Sequence, residues 1–136
     1  MKAPWEKFSL PGSAVARALG RSPEFVRTLR QIFGPLVERV DALPPEPQAW
    51  VMAEVPGEGS LSAFFRELGK ALEPAGSLWV VLPKQPFAAE LGFPYRWVDV
   101  QKAGLSAGLV DNKVAAFSAR LTSIRFVVPL SRRRKA

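Results

Sequence analysis

The chain has 136 residues, 48% of them hydrophobic and 23% charged, with a net charge of +7 and neither cysteine nor histidine. That is one domain's worth of globular sequence, able to bury roughly two-thirds of its unfolded surface. The missing residue types exclude disulfides, thiol nucleophiles, Cys/His zinc sites and a histidine general base.

No apolar run approaches the roughly 20 residues that a membrane-spanning helix needs. Lys2, Glu6 and Lys7 stand where a signal peptide requires its apolar segment. A soluble, cytoplasmic protein with no membrane partner is therefore expected. Four of the seven net positive charges fall on Arg132, Arg133, Arg134 and Lys135, which leaves +3 for the rest. Such a run can bind phosphate and hence nucleic acid. The preferred reading of residues 132–136 is a solvated, disordered tail. One asparagine, two methionines and 13 prolines suit a thermophile.

Trp5 and Phe8 are the anchors of an irregular start that ends at Pro11-Gly12. Ser13 caps a short predicted helix over 14–19, ended by Gly20. Ser22-Pro23-Glu24 is a second start signal, with a cap, a proline at the first helical position and an acid in the first turn. Phe25, Leu29, Ile32 and Phe33 then follow at helical spacing, although an irregular strand through Val26 and Thr28 competes with it. Gly34-Pro35 interrupts the pattern, residues 36–40 resume it, and Pro44 to Pro47 end it.

The second half is patterned more sharply. Residues 49–55 read as a buried strand closed by Pro56-Gly57. Ser60 caps a helix on which Leu61, Phe64, Phe65, Leu68, Ala71 and Leu72 keep a 3.6-residue period, ended by Pro74 and Gly76. Residues 78–82 are apolar on both faces, as a central parallel strand must be. Trp50 and Trp79 lie inside these strands and are assigned to the core. A proline- and aromatic-rich link over 87–97 leads to a short helix that Asp99 caps, running to Ala107. Residues 110–118 and 123–128 form a closing antiparallel hairpin. The order predicts an α/β fold: a three-layer, truncated Rossmann-like, mostly parallel sheet of four or five strands ending in that hairpin. It forms one domain over 1–131, with a helical front half over 1–48 and the Rossmann-like half over 49–131.

The junction Leu72-Glu73-Pro74-Ala75-Gly76-Ser77-Leu78-Trp79-Val80-Val81 resembles the one before the fifth strand of class I S-adenosylmethionine-dependent methyltransferases. The region Ala103-Gly104-Leu105 and the hairpin are similar to the end of that fold. A second resemblance covers residues 78–127. Leu78 to Lys84, then Gly108-Leu109-Val110-Asp111-Asn112-Lys113-Val114, then Ile124 to Val127 resemble a small bacterial family of unknown function, with shared W-V-x-x-P-K and G-L-V-D-x-K-V segments. The chain departs from that family at Leu121-Thr122-Ser123 and at Gln85-Pro86-Phe87.

The methyltransferase likeness would imply a glycine-rich turn after the first strand and an acid about 20 residues on. Gly12, Gly20 and Gly34 are isolated, and no such turn is legible, which weighs against catalysis and gives no catalytic, cofactor or metal residues. Candidate sites are therefore weighed on position alone. Ligands of open α/β sheets bind beyond the carboxyl ends of the strands. That edge presents Glu54 after one strand and Lys84 and Gln85 after its neighbour, either as a polar crevice or, as preferred, with Lys84 and Glu54 in a surface ion pair. Asp111 and Lys113, two apart on a strand, would share a face as a functional pair or as a solvated one. Arg96 and Trp97 could stack a base, with the basic tail, or pin a loop over the sheet. The expected function is a non-enzymatic module that binds a protein partner or itself. A ligand sensor or enzyme at the crevice, and a nucleic-acid binder, are the alternatives.

Overall fold

Apolar runs buried on both sides build the centre of the molecule. The computed structural model describes residues 3–12 and 15–133, Arg132 and Arg133 by their backbone alone. The elements are β1 (Ala16–Leu19), α1 (Pro23–Phe33), β2 (Val37–Val40), β3 (Gln48–Glu54), α2 (Leu61–Lys70), β4 (Leu72–Pro83), α3 (Trp97–Ser106), β5 (Val110–Ala116), β6 (Leu121–Val127) and α4 (Leu130–Arg133). Among the described residues the strands form one six-stranded sheet in the order β2-β1-β3-β4-β6-β5. β2, β1, β3 and β4 pair in parallel, and β6 runs against both of its neighbours. This is the expected mostly parallel α/β sheet with its antiparallel hairpin.

Helices cover both faces. Phe25, Leu29 and Phe33 of α1, with Phe8, pack on Ala16, Ala18, Trp50, Met52, Trp79 and Val81. On the opposite face Phe65 and Leu68 of α2 and Val100 of α3 pack on Val51, Ala53, Leu78, Val80, Ile124 and Phe126. Both tryptophans assigned to the core are buried there, and Trp50 donates its indole N–H to the Phe8 carbonyl at 2.8 Å. α3 lies close on the sheet because Gly104 has no side chain: a Cβ there would meet the Phe126 ring at 2.3 Å.

The front half departs from expectation. Residues 16–19 form a strand rather than a helix; Ser13 and Ala14 lie outside the described residues. Ala16 and Ala18 are buried while Arg17 and Leu19 are half-buried, and the segment bonds to β2 on one side and β3 on the other. Four residues close barely one helical turn, so sheet pairing on both sides outweighs their helix propensity. Residues 37–40 are likewise the edge strand β2 and not a resumed helix. Residues 25–33 are helix, with the Ser22 hydroxyl accepting from the Phe25 amide. β4 starts at Leu72, so the segment 72–76 is strand and not the end of α2; the register with β3 slips between Gln48 and Trp50 to admit it.

Candidate functional site

β1 crosses over to β2 on one side, whereas β3 crosses to β4 on the other. The carboxyl ends of β1 and β3 therefore flank the switch point at which open α/β sheets take ligands. A crevice of about 630 Å³ opens there, lined among others by Gly20, Ser22, Arg27, Glu54, Pro56 and Arg120.

Glu54, the last residue of β3, fills the head of this crevice. Its carboxylate accepts from the backbone amides of Arg21 at 3.2 Å and Ser22 at 3.1 Å, and from the Ser22 hydroxyl. Ser22 is also the N-cap of α1. The first turn of a helix offers unpaired N–H groups and the positive end of its dipole, and so attracts anions. Here a carboxylate of the protein already occupies that position. Pro23, at the first helical position, has no N–H to add. Gly20 lets the turn approach: a Cβ there would meet the Phe25 ring at 2.5 Å and the Glu54 Cβ at 2.9 Å.

A second polar cluster closes the far wall. Glu24 accepts from the Ser118 hydroxyl at 2.5 Å and from Arg120 Nε at 2.9 Å, and Arg120 reaches Glu90 at 2.9 Å. The Ser118 hydroxyl foremost, and then the Arg120 guanidinium, hold the Glu24 carboxyl below the usual 4.5 against the opposing effect of burial. These bonds tie the start of α1 to the β5–β6 turn.

Asp41 follows directly on β2, 21 residues after Gly20. It is thus an acid at the carboxyl end of the second strand, which sequence reading missed because β1 and β2 were assigned to helices. The four residues Ala16 to Leu19 are too short a run to signal a strand by their pattern. Its carboxylate lies 3.3 Å from Arg39 Nη1 and 3.9 Å from Arg21 Nε.

The sequence candidates are dispersed. Among the described residues Lys84 makes no ion pair, and the expected bridge to Glu54 does not form, because Glu54 is taken up by Arg21 and Ser22. Lys84 and Gln85 line a separate hollow on the other side of the end of β4. Asp111 and Lys113 are not on one face. A bulge between them shifts the register with β6. Asp111 accepts from Gln101 of α3, while Lys113 donates to the Lys7 carbonyl on the opposite face. Arg96 is held by Asp99, its guanidinium 3.1 Å from the carboxylate, and Trp97 opens α3 at the wall of the Lys84 hollow. Asp99 is the third residue of α3 and not its cap; it accepts from the Arg96 amide at 2.9 Å. Arg132 and Arg133 belong to α4; Arg134 and Lys135 lie outside the described residues. Among the described residues no cluster could hold a metal ion, and no helix is long and apolar enough to cross a membrane.

Solved methyltransferases share this sheet. The CcbJ methyltransferase from Streptomyces caelestis superposes with a TM-score of 0.62 at 12% identity, over 93% of this chain and 94% of that one. A TehB-like S-adenosylmethionine-dependent methyltransferase from Corynebacterium glutamicum gives 0.52 at 11% identity, over 83% and 67%. An O-methyltransferase from neocarzinostatin biosynthesis, solved with S-adenosylmethionine, gives 0.58 at 11% identity; 83% of this chain matches only 41% of it. The likeness is one of fold. No protein-family model matches the chain, and no curated protein does.

The residues present do not fit S-adenosylmethionine at the switch point. Where a glycine-rich turn would free the backbone to approach a cofactor, Gly20-Arg21-Ser22-Pro23 has one glycine and its amides are bound to Glu54. The acid after β2, Asp41, is exposed and lies beside the Arg39 and Arg21 guanidiniums.

Proposed function

We propose that this protein is a non-enzymatic binding module with a methyltransferase-like sheet, in which the chain's own side chains close the cofactor position. The observation that carries the reading is the Glu54 carboxylate on the Arg21 and Ser22 amides and the Ser22 hydroxyl. An anionic or hydroxyl-rich ligand at this turn would have to displace a covalently tethered carboxylate. That competitor is always present at high effective concentration. The module is taken as one domain over residues 1–131, followed by the basic segment 132–136.

Titration calorimetry and thermal shift with S-adenosylmethionine and S-adenosylhomocysteine test it. A ligand present at 100 times its Kd stabilises a native state by about 2.7 kcal/mol, which either measurement detects. The expected result is no saturable binding at millimolar ligand. Saturable binding that is lost on blocking the switch-point crevice would overturn the proposal.

A further inference from the structure

The hollow beside Lys84 sets a half-buried cation, without an ion pair among the described residues, beside an apolar floor. It has a volume of about 610 Å³, within the range of small-molecule sites, and lies where β4 gives way to the connection into α3. Leu82, Ala88, Phe93, Tyr95 and Trp97 line it, three of them aromatic. The walls are fixed in place. The Lys84 amide donates to the Arg120 carbonyl at 2.8 Å, the Phe93 amide to the Ala88 carbonyl at 2.9 Å, and the Tyr95 hydroxyl to the Gly59 carbonyl at 2.6 Å.

The charges around it are unequal. Arg96, the other cation on the lining, is bound to Asp99. Glu90 is bound to Arg120, and Glu54 to the turn after β1. Lys84 is half-buried, and among the described residues no carboxylate pairs with its ammonium. A half-buried cation at an apolar site favours an anion, because the low local dielectric strengthens the pair.

We propose that this hollow binds a small aromatic monocarboxylate, its ring against Phe93, Tyr95 and Trp97 and its carboxylate on Lys84. The aromatic walls favour a planar body by offset or edge-on ring contacts. Among the described residues Lys84 is the one cation of the lining without an ion pair, which favours a single negative charge; a phosphate ester would leave its second charge uncompensated. This inference concerns a hollow other than the Glu54 crevice and does not depend on the reading of that crevice.

The test uses 2-naphthoate and its neutral isostere 2-naphthamide as probes, followed by calorimetry and by amide chemical-shift changes on the full chain. Wild type is expected to bind naphthoate about tenfold or more tighter than naphthamide, as a charge-assisted bond implies. Lys84→Gln, at a half-exposed position, should abolish that preference and leave naphthamide binding unchanged. Shift changes should centre on residues 84–97. Filling the hollow with Ala88→Phe should remove binding of both probes while the thermal transition stays cooperative. No naphthoate binding at millimolar concentration, equal affinity for the two probes, unaltered preference in Lys84→Gln, or shifts centred on residues 20–24 would each overturn the proposal.

Discussion

Glu54→Ala removes the carboxylate that holds the turn between β1 and α1. Three donors lose their acceptor: the Arg21 and Ser22 amides and the Ser22 hydroxyl. A hydrogen bond to a charged group contributes about 1.5–3 kcal/mol when no water replaces it. These donors face an open crevice that water can enter, so the three together are taken at about 2–3 kcal/mol. For a chain of this length 1 kcal/mol moves the melting temperature by about 3–4 °C, so a fall of about 7–11 °C is expected. The vacated amides at the start of α1 then form an ordinary anion site. Calorimetry in a sulfate titration should recover part of the loss in the variant, about 1.4 kcal/mol at ten times the sulfate Kd, with a smaller response in wild type. Glu54→Gln, which keeps one acceptor oxygen, should fall between the two. A loss below about 0.5 kcal/mol, or equal sulfate responses in variant and wild type, would refute the idea that Glu54 fills the site; surface changes normally stay within that range.

Glu24→Gln should cost about 1–2 kcal/mol at pH 7, discounted for the exposure of Arg120. Because the folded Glu24 carboxyl lies below 4.5, its contribution is complete above pH 4.5 and fades as pH falls through the folded value. Denaturant titrations should therefore show wild type losing stability below pH 4.5 more steeply than the variant. Trp50→Phe and Trp79→Phe should differ although both side chains are buried. The first leaves the Phe8 carbonyl without its donor, at a cost of about 1–3 kcal/mol beyond lost packing, while the Trp79 indole N–H has no partner among the described residues to lose. Melting curves of the pair read that difference directly. Gly104→Ala should destabilise by about 1–3 kcal/mol, because the new methyl would occupy the space of the Phe126 ring; chemical denaturation checks it.

The sequence by itself determined the parts of this protein whose pattern is long and locally consistent. α2 has ten residues with one apolar face, and the centre of β4 is apolar on both, which leaves a buried parallel strand as the economical outcome. The hairpin of β5 and β6 and the core positions of Trp50 and Trp79 were legible for the same reason. β1 and β2 were not. Four residues are too few to express a period, and Ala16 to Leu19 have good helix propensity. Only pairing with β3 makes a strand of β1, and only β1 holds β2.

The candidate site was hidden by the same gap. Glu54 could be placed at the end of a strand, but its partners lie 32 and 33 residues away in a turn that exists only if β1 does. Tertiary structure therefore decided which charges meet. It sends Glu54 to the amides of α1, Glu24 to Arg120 across 96 residues, and Asp111 and Lys113 to opposite faces by a single bulged residue. Charge pairing depends on distances of a few ångströms, which periodicity along a chain does not encode. What this leaves at the carboxyl ends of the strands is a carboxylate tethered to a turn in one hollow and, among the described residues, an ammonium without an ion pair in the other, an arrangement made by the fold alone.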